Sequence, residues 1–476
     1  MKLSRLLESA ATLEIPHEKD AEITLVTDDS RECVPGALFV VIKGAKADGE
    51  NFIDEAYMRG ARVFVLSKKR KLPKDSIAIY SENPRKSLAE LCSAFYEHPE
   101  KKLLTVGITG TKGKTTTAHI LGRILDGIGV KNIVIGTLGI RGIDFFKTKN
   151  TTPSPTVIYR ALYTAVRGGI RVAVIEVSSQ ALKEFRVYGI PFDTVAFTGI
   201  SHDHIGESEH PTFSDYVHSK RRLFTEYGAK AAVVNSDDAY SLYMSAGVPK
   251  VVKCGFSCNA DLTVSRFCDN PCGSEFYLGD VRVRTALPGA YNAENITLAL
   301  ALAREIAGVS IVEAASHVTD AKIDGRFERV ELGGVNIIID YAHNFDSFRE
   351  VATLSKRLFS GKIICVFGSV GERSLGRRKE LAEAAEKYTD FSVITSDNSG
   401  GEPPISICAD IYSNFKDKTK AKIIVGRGDA ISYALGEAKQ GDAVLILGRG
   451  HERFLNQGGK NLAFSDAEYV RKINNE

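Results

Sequence analysis

Short apolar runs rich in Val and Ile recur along this chain, and each stops at small or polar residues. They are 103–108 (LLTVGI), 172–177 (VAVIEV), 231–235 (AAVVN), 362–368 (KIICVFG), 391–396 (FSVITS) and 443–448 (AVLILG). Runs that are apolar at successive positions fit strands buried on both faces. Between them lie stretches with helical spacing, such as 294–307 (ENITLALALAREIA), closed by Gly308. Such alternation predicts parallel sheets covered by helices, the α/β class. In such sheets ligands bind beyond the C-terminal ends of the strands. That is where this chain places its Gly, Asp, His and Glu residues.

Two seams divide the chain. One lies near His98-Pro99-Glu100, between helix-like 84–97 and the strand at 103, and the other near Ile323-Asp324-Gly325-Arg326. They give expected domains of 1–98, 99–324 and 325–476, each of ordinary size. Lys and Arg total 62 against 59 Asp and Glu, a net charge of +3. That balance argues against a dedicated nucleic-acid binder, which usually needs a concentrated basic surface. No run approaches the roughly 18 apolar residues of a membrane helix. The first residues meet charge too early for a signal-peptide core. A cytoplasmic monomer without nucleic-acid or membrane partners is expected. Cys33, Cys92, Cys365 and Cys408 are scattered, as reduced thiols are. Cys254, Cys258, Cys268 and Cys272 form a patch, but their three-residue spacers depart from the usual zinc spacing, so a structural loop is expected there.

The strongest local motif is Thr109-Gly110-Thr111-Lys112-Gly113-Lys114-Thr115-Thr116, which follows a strand and opens a helix over 115–125. Glycines let backbone N–H groups approach phosphate oxygens, and the helix N-terminus adds positive potential. Lys114 would reach the β and γ phosphates, and the Thr115 hydroxyl would bind Mg²⁺. The spacing Gly-x2-Gly-Lys-Thr is shorter than the general phosphate-loop pattern and suggests a subgroup of ATP-binding folds.

Three further features are bland when taken singly. Glu176 ends a strand, as many helix-capping acids do. His202-Asp203-His204 follows the strand-like run 194–200. Lys220 neighbours Arg221 and Arg222, as a solvated charge would. Together, in the stretch that holds the phosphate loop, Glu176, His204 and Lys220 can supply ligands for a second Mg²⁺. Magnesium prefers oxygen, so His204 is an unusual member of the set.

In order along the chain stand Asp29-Ser30-Arg31, the 109–116 loop, Asn150-Thr151-Thr152-Pro153, Glu176-Val177-Ser178-Ser179, Asp203-His204, Tyr216-x3-Lys220 and Asn292-x2-Asn295. Gly325-Arg326-Phe327-Glu328, Asp340-Tyr341-Ala342-His343 and Gly448-x-Gly450-His451-Glu452 follow. As an ordered set these resemble the Mur ligases, ATP-dependent amide-forming enzymes of peptidoglycan precursor synthesis, and most of all the branch that adds a diamino acid as the third peptide residue. The resemblance spans nearly the whole chain. It implies an N-terminal UDP-binding α/β domain, a central ATPase-like domain with a parallel sheet, and a C-terminal Rossmann-like domain. It implies that Lys220 is carbamylated and holds Mg²⁺ with Glu176 and His204, beside a second Mg²⁺ at ATP. It assigns Asn295, Arg326, Asp340 and His343 to ATP, with Gly110 to Thr116. Ser30, Asn150, Thr151, Thr152, Ser178 and Arg186 are assigned to the UDP-N-acetylmuramoyl dipeptide. Glu184 departs from the Gln often found there.

For the acceptor amino acid the resemblance assigns Arg378, Asp397, Asn398, Gly448 and Glu452. Diaminopimelate-adding members carry Asp-Asn-Pro-Arg where this chain reads Asp397-Asn398-Ser399-Gly400. A carboxylate without its arginine loses about 1.5–3 kcal/mol, so the site leans toward L-lysine, with meso-diaminopimelate the alternative. Against the lean stand His451-Glu452, often absent from lysine-adding relatives, and Arg449, a candidate for the missing arginine's place. The implied chemistry passes through an acyl phosphate, with Lys114, Lys220 and His204 as catalytic residues and with closure of the third domain excluding water. A folylpolyglutamate synthase-like ligase and a non-catalytic nucleotide-binding regulator are the rival readings.

Overall fold

The computed structural model describes residues 1–8, 10, 13, 20–44, 47–144, 148, 150–202, 205–206, 209–372 and 375–475. The chain divides into two compact units. The first comprises Met1–Ser265, Tyr277–Val283 and Ala293–Val318, and the second Arg266–Phe276, Arg284–Asn292 and Thr319–Glu476.

The first unit holds two sheets. Leu25–Thr27, Ala37–Val40, Val63–Leu66 and Ile77–Tyr80 pair in that order, all parallel. Ala37–Val40 and Val63–Leu66 are buried at every residue. Leu38, Val40, Val63 and Val65 pack with Leu88, Leu91 and Cys92 of helix Pro84–Phe95, while Phe39, Phe64 and Leu66 pack with Ile53 and Ala56. That helix starts where Asn83 accepts from the Lys86 N–H and Pro84 presets the first turn.

The second sheet runs Lys250–Gly255, Ala231–Asn235, Thr194–Phe197, Leu104–Thr109, Val172–Glu176, Asn132–Gly136 and Gly139–Arg141. All neighbours are parallel except the last pair, joined by a tight turn. Its inner strands are buried throughout, and each fully buried Val or Ile contributes about 1.5–3 kcal/mol. Strand register is what builds the site. Ile108 pairs with Glu176 and Thr109 with Phe197, so three strand ends reach the same edge as the Gly-rich loop. Helix Lys114–Gly127 leaves that edge, and helix Phe213–Thr225, capped by Thr212, brings Lys220 back to it. Beyond Lys250–Gly255 the chain forms strands Leu262–Asn270, Gly273–Leu278 and Val281–Thr285, along which the division between the units runs.

The second unit has one six-stranded sheet in the order Glu328–Leu332, Val335–Asp340, Ala443–Leu447, Ile363–Phe367, Phe391–Ile394 and Ala421–Ile423. Residues from helices Phe345–Leu358, Leu375–Tyr388 and Pro404–Ser413 share one apolar cluster with it. Residues from Arg427–Glu437 and Asp466–Asn475 share the other.

The expected apolar runs all become strands, displaced by a residue or two at their ends. The helix expected over 294–307 begins earlier, at Ala290, and Gly308 at φ +67 ends it. The expectation of wholly parallel sheets fails where Asn132–Gly136 meets Gly139–Arg141, where Glu328–Leu332 meets Val335–Asp340 and where Phe454–Gln457 meets Lys460–Ala463, all antiparallel. In the second unit Glu328–Leu332 runs antiparallel to Val335–Asp340, because Gly333 and Gly334 both adopt positive φ and so build the tight reversal. Of the patch cysteines, Cys254 is buried and Cys258, Cys268 and Cys272 are exposed. Among the described residues no helix is long and apolar enough to cross a membrane.

Candidate active site

The loop 110–113 is stitched to the neighbouring strand exit. Thr111 N–H donates to the Gly199 carbonyl at 2.8 Å, and Thr198 Oγ1 to the Lys112 carbonyl at 2.5 Å. Gly113 has φ +82, and a Cβ there would stand 2.3 Å from Asn295 Oδ1. The close approach and the left-handed backbone both demand glycine. Asn295 also accepts from Thr117 Oγ1 at 3.4 Å, so it belongs to this loop. Lys114 Nζ donates to the carbonyls of Gly110 (2.8 Å) and Thr111 (3.0 Å). Thr115 and Thr116, at the helix start, are buried.

Glu176 is 0% exposed. Its carboxylate accepts from Thr115 Oγ1 at 2.8 Å, and from Thr137 N and Thr137 Oγ1 at 3.0 Å each. Burial raises its pKa above the ordinary carboxylate value, while Thr115, Lys114 and Thr137 pull the other way. Lys220 is 1% exposed, and its Nζ donates to the Gly110 carbonyl at 2.8 Å. It also lies 4.5 Å above the Tyr216 ring, whose hydroxyl is 2.9 Å from Thr111 Oγ1. Two ammonium groups, Lys114 and Lys220, therefore share one carbonyl. His204 lies outside the described residues. The oxygens of Thr115 and Glu176 are a hard donor pair suited to Mg²⁺, and residues 111–114 at the helix start are only half-buried, so the residues present fit a metal beside a phosphate.

The residues expected to meet a UDP-linked substrate fall into two places. Thr152 Oγ1 donates to the Glu176 carbonyl at 2.7 Å and accepts from Ser178 N–H, and Ser178 caps helix Ser179–Lys183. Arg186 donates to the Thr152 carbonyl at 2.8 Å, and Thr151 Oγ1 accepts from Thr137 at 3.1 Å. These therefore gather around Glu176. Asn150 is exposed. Ser30 is in the four-stranded sheet region, where its hydroxyl donates to Glu55 at 2.7 Å. Glu184 takes two bonds from Arg186 (2.9 and 2.6 Å) and one from Gln180 at 2.8 Å. Burial works to raise its pKa, but Arg186, Gln180 and Arg85 hold it below the usual value.

Sequence reasoning passed over several members of this cluster. Thr137, Thr198 and Gly199 carry no motif. His210 is buried between Asp215 (2.6 Å) and Ser179 (3.0 Å), and so ties the Lys220 helix to the helix after Glu176. Nothing in the spacing of these residues signals their meeting.

The second unit gathers two groups at the C-terminal ends of its strands. In the first, Asp340 is buried and accepts from Phe327 N–H at 2.6 Å and Ala342 N–H at 2.8 Å. Burial raises its pKa, against the pull of Arg326. The Arg326 guanidinium lies 4.7 Å from the Tyr341 ring centroid, and His343 Nδ1 is 2.8 Å from the Tyr341 carbonyl. In the second, Asn398 Nδ2 donates to Glu452 at 2.7 Å and Asn398 N–H to Asp397 at 2.6 Å. Gly448, at φ +107, lets Asp397 pass, since a Cβ there would be 2.8 Å from Asp397 Oδ2. Glu452 is pushed up to about 7, by burial first and by Asp397 next. Arg378 is buried and spends its guanidinium on Glu402 (2.7 Å) and Asp410 (2.6 Å).

A Gly-rich loop at a parallel-sheet edge, with a buried acid and two lysines against it, defines an ATP-dependent α/β enzyme. Three family models match: "Mur ligase family, catalytic domain" over 22–96, "Mur ligase middle domain" over 108–303 and "Mur ligase, glutamate ligase domain" over 325–450. The chain is 37% identical over 460 residues to the UDP-N-acetylmuramoyl-L-alanyl-D-glutamate–2,6-diaminopimelate ligase of Aquifex aeolicus, covering 94% of this chain and 93% of that one. It is 35% identical to the enzyme of that name from Bacillus licheniformis, covering 99% of each. A solved structure of a ligase with that name superposes with TM-score 0.64 at 25% identity over 95% of each chain. The chain belongs to the Mur ligase family and is an ATP-dependent amide ligase. The relatives' names run against the lean toward lysine. That lean rested on the side chain missing at Gly400, whereas the charge at a strand-end pocket is collective, and here a second arginine, Arg449, is buried among the same acids.

Proposed function

We propose that this protein joins meso-diaminopimelate to UDP-N-acetylmuramoyl-L-alanyl-D-glutamate in peptidoglycan precursor synthesis, with parts 1–98, 99–324 and 325–476 serving the uridine end, ATP and the acceptor. The observation that carries the reading is the Thr115–Glu176 pair at 2.8 Å beside Lys114 and Lys220 on the Gly110 carbonyl. The near full-length similarity to diaminopimelate ligases supports the choice of substrates.

The dipeptide's γ-carboxylate attacks the γ-phosphorus of ATP, ADP leaves, and an acyl phosphate forms. The α-amine of the acceptor then attacks the carbonyl carbon, phosphate departs, and the amine loses a proton. Lys114, at the helix start, exchanges its two loop carbonyls for phosphate oxygens and offsets their charge. Thr115 and Glu176 would hold Mg²⁺, which when bound would supply Lewis-acid neutralisation of the crowded oxygens. Lys220 serves as a carbamate, whose anionic oxygens suit a metal where an ammonium would repel it. Thr152, Ser178 and Arg186 orient the acid next to Glu176. Asp397, Asn398 and Glu452 take the acceptor's distal ammonium.

ATP-dependent ligation with the UDP-dipeptide tests the reading. Meso-diaminopimelate should exceed L-lysine in kcat/KM by about tenfold, equal to about 1.4 kcal/mol. A preference for lysine would overturn the acceptor, and no phosphate release with either would overturn the reaction. Stripping CO₂ from the buffer should lower the rate and bicarbonate should restore it; indifference to both removes the carbamate.

A further inference from the structure

Strands Phe454–Gln457 and Lys460–Ala463 form a hairpin with little apolar anchorage. Of the residues in its two strands only Leu455 is buried. A two-stranded hairpin is marginally stable alone. Polar contacts hold this one. At its feet the buried Arg449 donates through Nη2 to the carbonyls of Phe454 (2.7 Å) and Phe464 (3.2 Å). At its tip Gly458 and Gly459 both take positive φ, and Gly459 N–H donates to the Gly400 carbonyl at 3.2 Å. Between feet and tip, Asn456 spends both backbone groups outside the hairpin. Its carbonyl accepts from Ser399 N–H at 2.9 Å, and its N–H donates to Asn398 Oδ1 at 2.8 Å.

That last bond governs the acids beside it. The Asn398 backbone is already held, its N–H on Asp397 and its carbonyl accepting from Gly371 N–H at 2.9 Å, so only the side-chain amide has a direction left to choose. An amide offers an acceptor on one side and donors on the other. A backbone N–H can only donate, so Asn456 makes the amide oxygen face the hairpin. The amide nitrogen then faces Glu452, which accepts from it at 2.7 Å. Turned over, the amide would set its nitrogen against the Asn456 N–H and its oxygen against a carboxylate, and both contacts repel. Glu452 depends on that donor. Burial and Asp397 disfavour its charge, while the Asn398 bond, Arg449 and Arg427 favour it.

We propose that the backbone N–H of Asn456 is a positioning group for the acceptor amino acid, fixing the Asn398 amide so that Glu452 stands as an oriented carboxylate for the acceptor's distal ammonium. The proposal rests on the reading above, in which these acids take that ammonium.

The test is Asn456→Pro set against Asn456→Ala in the full-length enzyme. Proline deletes the N–H at a strand position whose N–H lies outside the hairpin's own pairing, where proline is tolerated. Alanine loses the same side chain, which bonds Asn461 at 2.7 Å, but keeps the N–H. With saturating ATP and UDP-dipeptide, KM for meso-diaminopimelate should be about tenfold higher in Asn456→Pro than in Asn456→Ala, with kcat values within about threefold. The pH at which that KM falls should move up by about 0.5 or more, because a bond to the charged form is gone. Asp397, Arg427 and Arg449, the charged groups about Glu452, are the same in both variants. A merely structural role would lower the melting temperature and leave the pH step in place. Equal KM values or an unmoved pH step overturn the proposal. If Asn456→Pro gives no native melting transition, Asn398→Ala decides. Hydrogen exchange of the backbone amides over 454–457 should then quicken by about tenfold or more, and the pH step should rise likewise. Wild-type exchange or an unmoved step overturns the proposal. A wild-type enzyme that ligates neither meso-diaminopimelate nor L-lysine overturns the functional reading itself, a result seen before any variant is made.

Discussion

Replacing Glu452 by glutamine removes a carboxyl that is pushed up to about 7 from an ordinary 4.5, by burial first and then by Asp397. That gap, about 2.5 on the pH scale, corresponds to on the order of 3 kcal/mol. Below pH 4.5 both folded and unfolded chains hold this proton. Between 4.5 and about 7 only the folded chain holds it, and above 7 neither does. The folded state binds more protons across the window, so this group's stabilising contribution is present below pH 4.5 and is lost as pH rises through 7. The glutamine has no proton to lose, and its amide oxygen still accepts from Asn398 Nδ2, now 2.7 Å from the carboxylate. Glu452→Gln should therefore gain on the wild type between about pH 5 and pH 8 by up to about 3 kcal/mol, read by urea unfolding at the two pH values. Activity should move the opposite way. Wild-type KM for the acceptor should fall as pH rises through 7 and Glu452 ionises. The variant's KM should be higher and flat across that window. Equal stability differences at the two ends of the window would refute the buried-acid argument, whatever the activity does.

Lys114→Met should lower phosphate release by about 10²–10³-fold, the scale for losing one aimed electrostatic group, with little change in melting temperature. Gly113→Ala forces a Cβ to 2.3 Å from Asn295 Oδ1 at φ +82, so it should lose about 1–3 kcal/mol of stability in denaturant unfolding and weaken ATP binding in calorimetry. Asp466→Asn strands Arg427, whose guanidinium is wholly buried, and should destabilise by about 3–5 kcal/mol; adding Arg427→Met should recover part of that in the same unfolding assay.

Much of this protein could be read along the chain because the signals are local. A run of successive apolar residues cannot face water, so the strand at Leu104–Thr109 and its neighbours were legible without any partner in view. The loop at 110–113 was legible because glycine spacing and a following helix are both matters of adjacent residues. The lean toward lysine, which the relatives' names run against, has the complementary weakness. The absence of a side chain at Gly400 is a local observation, but the charge of a pocket sums over Asp397, Arg427, Arg449, Glu452 and Asp466, and no window of sequence contains that sum.

The amino-acid order by itself determined the fold class, the strands and the phosphate loop, since periodicity and backbone freedom act between near neighbours. Only the folded chain decided that Lys220 and Lys114 share the Gly110 carbonyl, 110 residues from the former, that Thr115 meets Glu176 across 61 residues, and that His210 locks two helices beside them. Such meetings are set by strand register and helix packing, and by the burial that makes an unpaired charge expensive. Those quantities exist only once the sheet has closed around them.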